Sequence, residues 1–298
     1  MRLIRKIYLP CLAMAIAMTM LLAPMAVRAQ NPDMVAPEAS AAKAKQILAQ
    51  LIEGMGGPLY LDMRERQCDG RRAAIGHNGA LAGYVQFKDS WEFPDKNRTD
   101  YVAHGRNTLL GYMIGVQELD LSHGGLVITL FSGEHGWTMD RGGVSEMPED
   151  TIAEFLDAVR RSSDNLLRLS LKDPQLDFRW GGRDTVDLRE VDWVEITDQE
   201  QRVYRLAVDK STHLLVRSVV RVKDENNGQQ REDVSIFTNY RPNGGIQVPM
   251  QVTRERDGRR IFQVFYDNCQ INPPLPADFF TRDALVQKFK ETGGKKPK

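Results

Sequence analysis

From Val203 to Tyr266 the chain reads as strand after strand, with almost no room for helix between them. Val203-Tyr-Arg-Leu-Ala-Val208 is joined through Asp209-Lys-Ser-Thr212 to a strand running from His213 to Val222. In that strand Leu214, Val216, Val220 and Val222 share one face, with Ser218 among them, and Arg217 and Arg221 take the other. Val234, Ile236, Thr238 and Tyr240 alternate in the same way, as do Ile246, Val248, Met250 and Val252. A period of two places each set on one side of a sheet. Asn226-Asn-Gly228, Asn243-Gly-Gly245 and Asp257-Gly258 are hairpin turn signals. Consecutive strands joined by tight turns pair antiparallel, because a parallel pair needs a long crossover. A sheet of about 10–11 such strands curls rather than staying flat. The predicted fold is mainly β (α+β): an incomplete antiparallel β-barrel closed by amphipathic helices.

The first half fits that frame. Leu81 to Phe93 carries Tyr84, Val85, Phe87 and Trp91 and stops at Pro94-Asp95. Leu126 to Phe131 is a β-branched apolar run after Gly124-Gly125, and Gly133-Glu-His-Gly136 turns it into Trp137-Thr-Met139. Two segments have helical spacing instead. An alanine-rich stretch from Glu38 presents Ile47, Leu48, Leu51, Ile52 and Met55 on one stripe and ends at Gly54, Gly56, Gly57 and Pro58. Pro148 to Leu171 presents Ile152, Phe155, Leu156 and Val159 and closes at Pro174. Neither stripe can be buried alone, so both helices are expected to plug or cover the sheet. The expected cavity or lid positions are Ile47, Leu51, Ile52, Met55, Ile152, Phe155, Leu156 and Val159, against inward Val216, Val220, Ile236, Val248 and Met250.

The N-terminus speaks of address. Arg2, Arg5 and Lys6 precede an apolar run from Ile7 to Val27, and Val27-Arg28-Ala29 places small residues at the −3 and −1 positions before Gln30. This is the layout of a cleaved secretory signal peptide; a run of about twenty residues could also span as an uncleaved anchor, and the Val-x-Ala exit and the polar, Pro-containing stretch after it favour cleavage. The predicted organisation is a signal peptide over 1–29, a flexible leader over 30–40, one domain over 41–285 and a frayed basic tail over 286–298. The precursor has no net formal charge, and removing the leader takes four cations and no anion, leaving a mature chain near −4. That balance gives nucleic-acid binding little support. Arginines and lysines along the strands read as solvated faces. Cys68 and Cys269 are the cysteines that remain after cleavage. In an oxidising compartment they can form a disulfide or stay as two buried thiols, and spacing alone leaves both open.

Catalytic motifs are scarce. His77, His104, His123, His135 and His213 form neither a His-x-x-x-His nor a His-Glu-x-x-His pair, so no metal site is predicted. Ser132-Gly133 lacks the glycine that would precede a nucleophile elbow. Gly54-x-Gly-Gly57 follows a helix, the wrong context for a dinucleotide site. No cofactor is expected. What stands out is apolar surface, which is either a packed core or the lining of a cavity.

The order of segments adds a resemblance. An alanine-rich helix runs into Gly54-Met-Gly-Gly57; a strand leads to Trp91-Glu-Phe-Pro94 and Lys96-Asn-Arg98; Gly136-Trp137 precedes an amphipathic helix. Tyr204-Arg-Leu-Ala-Val-Asp209, Thr212-His-Leu-Leu215, Ile236-Phe-Thr-Asn-Tyr240, Gly245-Ile-Gln-Val-Pro249 and Ile271-Asn-Pro-Pro-Leu-Pro-Ala-Asp-Phe279 follow. In that order the chain resembles the exported outer-membrane lipoprotein-sorting proteins, related in fold to the Lol lipoprotein carriers. The resemblance implies a half-barrel with a hydrophobic cavity and a non-enzymatic periplasmic carrier or chaperone. Its ligands would be lipid or lipoprotein acyl chains, with inner- or outer-membrane envelope proteins as further partners. Two other readings stay open: an envelope hydrolase with a site assembled in space, and a structural or docking module with a filled barrel.

Overall fold

The structure is a computed structural model, and it describes residues 31–75, 81–102, 126–223 and 230–293. The signal-peptide run, His77, His104 and His123, the Gly124-Gly125 and Asn226-Asn-Gly228 turns and the last five residues lie outside them. A 3₁₀ turn (Pro32–Met34) leads into helix α1 (Pro37–Met55) and the single turn α2 (Pro58–Leu61). Strands β1 (Glu65–Ile75), β2 (Leu81–Glu92), β3 (Lys96–Val102), β4 (Leu126–Ser132), β5 (His135–Asp140) and β6 (Gly143–Glu146) follow. Helices α3 (Glu149–Arg160) and α4 (Ser163–Arg168) then interrupt the strands. The second set is β7 (Asp177–Val186), β8 (Arg189–Thr197), β9 (Val203–Asp209), β10 (Leu215–Lys223), β11 (Gln230–Asn243), β12 (Ile246–Arg256) and β13 (Arg259–Ile271), and α5 (Arg282–Gly293) ends the described chain.

The thirteen strands among the described residues form one antiparallel sheet in the order β6-β5-β4-β3-β2-β1-β13-β12-β11-β10-β9-β8-β7. It is open, with β6 and β7 at its edges. Thirteen replaces the 10–11 predicted. Asp177–Val186 and Arg189–Thr197 form a hairpin outside the alternation traced in the sequence, and the short β6 follows directly on β5. The order has a simple consequence. Among the described residues the six strands before α3 form one half of the sheet, the seven after α4 form the other, and only the β1–β13 pairing joins them. At that seam Cys68 and Cys269 are register partners and are linked as a disulfide. Gly70 follows a bulge in the same pair, where a side chain would collide with the Phe265 carbonyl oxygen.

α1 fills one half of the concave face. Ala44, Ile47, Leu48, Leu51 and Met55 pack with Trp180, Val194, Ile196, Leu206 and Val208 from β7, β8 and β9. The helix carries Pro37 at its first turn, where a missing N–H costs nothing. It ends at Gly56, whose φ of 128° suits glycine, and Gly57 N–H returns to the Ile52 carbonyl. A Cβ at Gly56 would press on the Gly245 carbonyl, so glycine also lets the helix end sit on the β11–β12 turn. The predicted leader is partly structured: Asp33 pairs with Arg179, and Pro32 packs beside Gly182. The predicted fraying of 286–298 is likewise corrected through residue 293, because α5 runs to Gly293 and packs Phe289 against a cluster containing Ile128, Leu130, Met139, Phe280 and Leu285.

Candidate functional site

The other half of the concave face is not filled. Between β2–β4, β10–β13 and the α3–α4 pair lies a cavity of about 610 Å³. One end is aromatic. Trp91 on β2, Phe131 on β4 and Phe155 on α3 point to a common centre, with Phe131 and Phe155 stacked at 4.0 Å and Trp91 6.0 Å from Phe155. Phe93 continues the stack 6.0 Å beyond Trp91. Phe87, Val252, Phe262 and Val264 carry the apolar lining along the strands. A shallower recess of about 540 Å³ bounded by Leu61, Arg64, Arg168 and Leu169 adjoins it through Met63, Phe93 and Pro94. The helix above is held close at one point. Gly136 leaves room for the Ile152 side chain, which a Cβ there would crowd at 3.1 Å.

The lining also holds charge, arranged in separate groups. Asp89 accepts hydrogen bonds from Trp91 Nε1 (2.8 Å), Asn97 Nδ2 (2.8 Å) and Thr99 Oγ1 (3.1 Å). Asp164 at the start of α4 accepts from the Tyr60 hydroxyl at 2.9 Å and lies 3.6 Å from Arg66. Burial, then the Asp164 carboxylate, pushes the Tyr60 hydroxyl well above its usual range. Burial alone would lower Arg66, but Tyr266, Asp164 and Asp89 outweigh it and raise its pKa. Arg168 donates to the Met63 carbonyl and lies 4.3 Å over the Phe93 ring, so α4 is tied to the α2–β1 connection and to the β2–β3 turn. Asp233 collects Arg161 (3.0 Å) and Arg256 (3.1 Å), fastening the end of α3 to β11 and β12. At the far end, Arg72 and Arg254 both face the Phe262 ring, at 4.7 and 5.2 Å.

The predicted lining residues divide four ways. Met55, Phe155, Val159, Val220 and Val248 line the cavity. Ile47, Leu51 and Met250 are buried in the filled half instead, and Ile52, Ile152 and Leu156 are half-buried without lining it. Val216 and Ile236 belong to a separate cluster on the opposite face, with Val191, Trp193 and Val219. The cause is local. Leu215 and Arg217 pair with the adjacent residues Val208 and Ala207, so Val216 is the extra residue of a β-bulge and Leu215 takes the inward position. In β11, Asn239 sits in the left-handed region (φ 56°), which brings both Phe237 and Tyr240 to the concave core and leaves Ile236 outside.

Sequence reasoning missed the polar lining. Arg66, Arg72, Asp89 and Arg254 do not lie on solvated faces; they point into the concavity. One signal could have found two of them. Arg66, Cys68, Gly70 and Arg72 share the period-two face of the cysteine, so a buried Cys68 carries Arg66 and Arg72 inward with it.

No family model matches the chain, and no curated protein matches it in sequence. Solved structures do match in shape. A DUF1329 family protein from Desulfovibrio piger superposes with a TM-score of 0.52 at 14% identity, over 83% of this chain and 99% of that one. A LolA superfamily protein from Nitrosomonas europaea superposes with a TM-score of 0.46 at 15% identity, over 81% and 99%. The chain is thus similar in fold to the DUF1329 family protein, as a long antiparallel sheet curled around its helices and left open.

Proposed function

We propose that this chain is a non-enzymatic periplasmic carrier that holds acyl chains of a lipid or lipoprotein in the cavity beneath α3 and α4. The cavity itself carries the reading: about 610 Å³, with an aromatic end and an aliphatic and aromatic lining beside its charged groups, on a stapled sheet. Each CH₂ moved from water into such a lining contributes roughly 0.8 kcal/mol, so one long chain gives ample affinity without polar specificity. The export-signal layout of Arg2–Ala29 supports the address, and the disulfide suits an oxidising compartment.

Native mass spectrometry of the protein purified from the periplasm, followed by organic extraction, tests this. The expected spectrum contains adducts that extraction removes and identifies as lipid, on a chain beginning near Gln30. A clean mass, together with failure to take up an added acyl probe, favours the filled-module reading.

A further inference from the structure

At the end of the cavity away from Trp91, two arginines converge. Arg72 on β1 and Arg254 on β12 lie 4.7 and 5.2 Å from the same ring, Phe262. Arg72 also donates to the Tyr101 hydroxyl at 2.7 Å. Among the described residues Arg254 has neither an ion pair nor a hydrogen bond; its contact is the face of Phe262. Its side chain keeps accessible area, yet it stands in the concavity with Val252, Phe262 and Val264 around it. Burial, with Arg72 as a like-charged neighbour, lowers its pKa. The Tyr266 hydroxyl opens on the same space within electrostatic range of Arg254 and Arg66, and it has no hydrogen bond among the described residues. Among the carboxylates lining the cavity, Asp89 is engaged by three neutral donors, Asp164 by Tyr60 and Arg66, Asp233 by Arg161 and Arg256, and Glu154 by Arg256 at 3.9 Å, while Glu255 makes no ion pair with Arg254 among the described residues.

We infer that the ligand is an amphiphile with an oxyanion head, bound with its head between Arg254, Arg72 and Tyr266 and its tail on the Trp91–Phe155–Phe131 stack. This rests on the acyl-carrier reading above and adds a head group and a direction to it. Two like-charged guanidinium groups near one ring repel, and an oxyanion attracted to both relieves that repulsion while using the donors of Arg254, which have no partner among the described residues. Phe262 lies near both guanidinium groups, and a cation held by a ring keeps N–H edges at Arg254 for a carboxylate or phosphate. The distance fits a long tail. Arg66 pairs with Trp91 and Arg72 with Val85, so head and tail ends are six residues apart along β1, roughly 20 Å at a strand's rise.

The test measures binding of palmitate, of lysophosphatidic acid and of uncharged methyl palmitate to the full mature chain. Wild-type protein, Arg254→Gln, Arg254→Lys and Arg71→Gln are compared, with a thermal unfolding scan of each. Arg71 neighbours Arg72 but faces outward to Asp267, so it controls for net charge. An ionised head engaged by arginine is expected to give an anion preference of about tenfold or more over the ester. That preference should collapse toward unity in Arg254→Gln and persist in Arg254→Lys and Arg71→Gln. Preference for palmitate assigns a carboxylate head, and preference for lysophosphatidic acid a phosphate head. Equal binding of acid and ester by the wild type, or a preference that survives in a folded Arg254→Gln, overturns the inference while leaving the carrier reading intact. Failure of all three ligands to bind removes both.

Discussion

The two halves of one concave face make the instructive comparison. In the β7–β9 half, α1 lies directly on the sheet and nothing is left between: Leu51, Trp180 and Leu206 are wholly inaccessible. In the other half, α3 is as clearly two-faced but stands off the strands, and a cavity remains. The difference lies in what separates helix from sheet. α1 meets the sheet through alanine and branched aliphatics, and Gly56 removes the last obstacle at its end. α3 meets it through Phe155 stacked on Phe131, flat rings that prop the helix instead of interdigitating. Charged residues on the floor, Arg66 and Asp89 among them, also resist being covered by apolar side chains. One half supplies a close-packed core, and the other keeps accessible surface for a guest.

The largest effect expected is at the seam between the halves. The Cys68–Cys269 bridge closes a loop of 201 residues in sequence and joins the strand pair that unites the two halves of the sheet. In the chain-entropy model a loop this long is worth on the order of 5 kcal/mol. Cys68→Ser/Cys269→Ser should therefore lower the urea midpoint steeply. If the two halves are independent units, the mutant will instead unfold in two separate transitions.

Next comes a direct comparison of filled with hollow. Leu51→Ala, at a site with no accessible area, should cost about 3–4 kcal/mol, as a buried leucine truncation does where the site cannot collapse. Phe155→Ala removes a larger side chain but from a surface already facing space, and should cost less, about 1–2 kcal/mol. Chemical unfolding of both variants decides it. Equal losses would mean that α3 is packed as tightly as α1.

Much of this division was hidden from the sequence, for identifiable reasons. Strand alternation located β9 to β13, and helical spacing located α1 and α3, because burial on one face leaves a period in the residues. Parity then failed wherever the backbone broke its own period. Val216 moved to the far face by one extra residue, and Ile236 parted from Tyr240 at the left-handed Asn239, and neither residue type announces a bulge. The hollow was also illegible. Leu51 and Phe155 are equivalent members of apolar stripes, and only the gap between each helix and its sheet tells core from cavity. Arg66, Arg72 and Arg254 were read as surface because arginine is mostly exposed, a rule that a water-accessible concavity satisfies from the inside.

Acid should act on the filled half through the β9–β10 turn. Asp209 is 5% exposed. Burial would raise its pKa, but hydrogen bonds from the Ser211 hydroxyl and from the backbone N–H groups of Ser211 and Thr212 (2.7–2.9 Å) hold it below the ordinary carboxylate range. A carboxylate whose folded pKa is depressed stabilises fully above about pH 4 and loses that contribution as the pH falls below it. The expected loss is about 1–2 kcal/mol, seen as faster amide exchange in β9 and β10 at pH 3 than at pH 5. Asp209→Asn should show the faster exchange at both values; exchange indifferent to pH in the wild type would show that the turn hydrogen bonds are not holding that end of the filled half.

The smallest change in stability should carry the clearest change in binding. Phe155→Leu keeps an apolar side chain of similar length on α3 and leaves Ile152 against Gly136, so the helix keeps its anchor. What it removes is the ring stacked 4.0 Å from Phe131 and facing Trp91. An offset aromatic contact is worth about 0.5–1.5 kcal/mol beyond its area, and here it borders an open space, so the unfolding midpoint should move by less than about 1 kcal/mol equivalent. The same substitution reshapes the wall that a guest chain would touch along its whole end. An acyl probe should therefore change affinity several-fold while Leu51→Ala, several times more damaging to the fold, leaves the affinity of the still-folded protein nearly unchanged. The two variants together separate the roles of the halves, since a lost midpoint with intact binding and lost binding with an intact midpoint cannot both come from one uniformly packed core. Parallel loss of binding and stability in both would mean that the concave face works as a single core and that the cavity is not where a ligand sits.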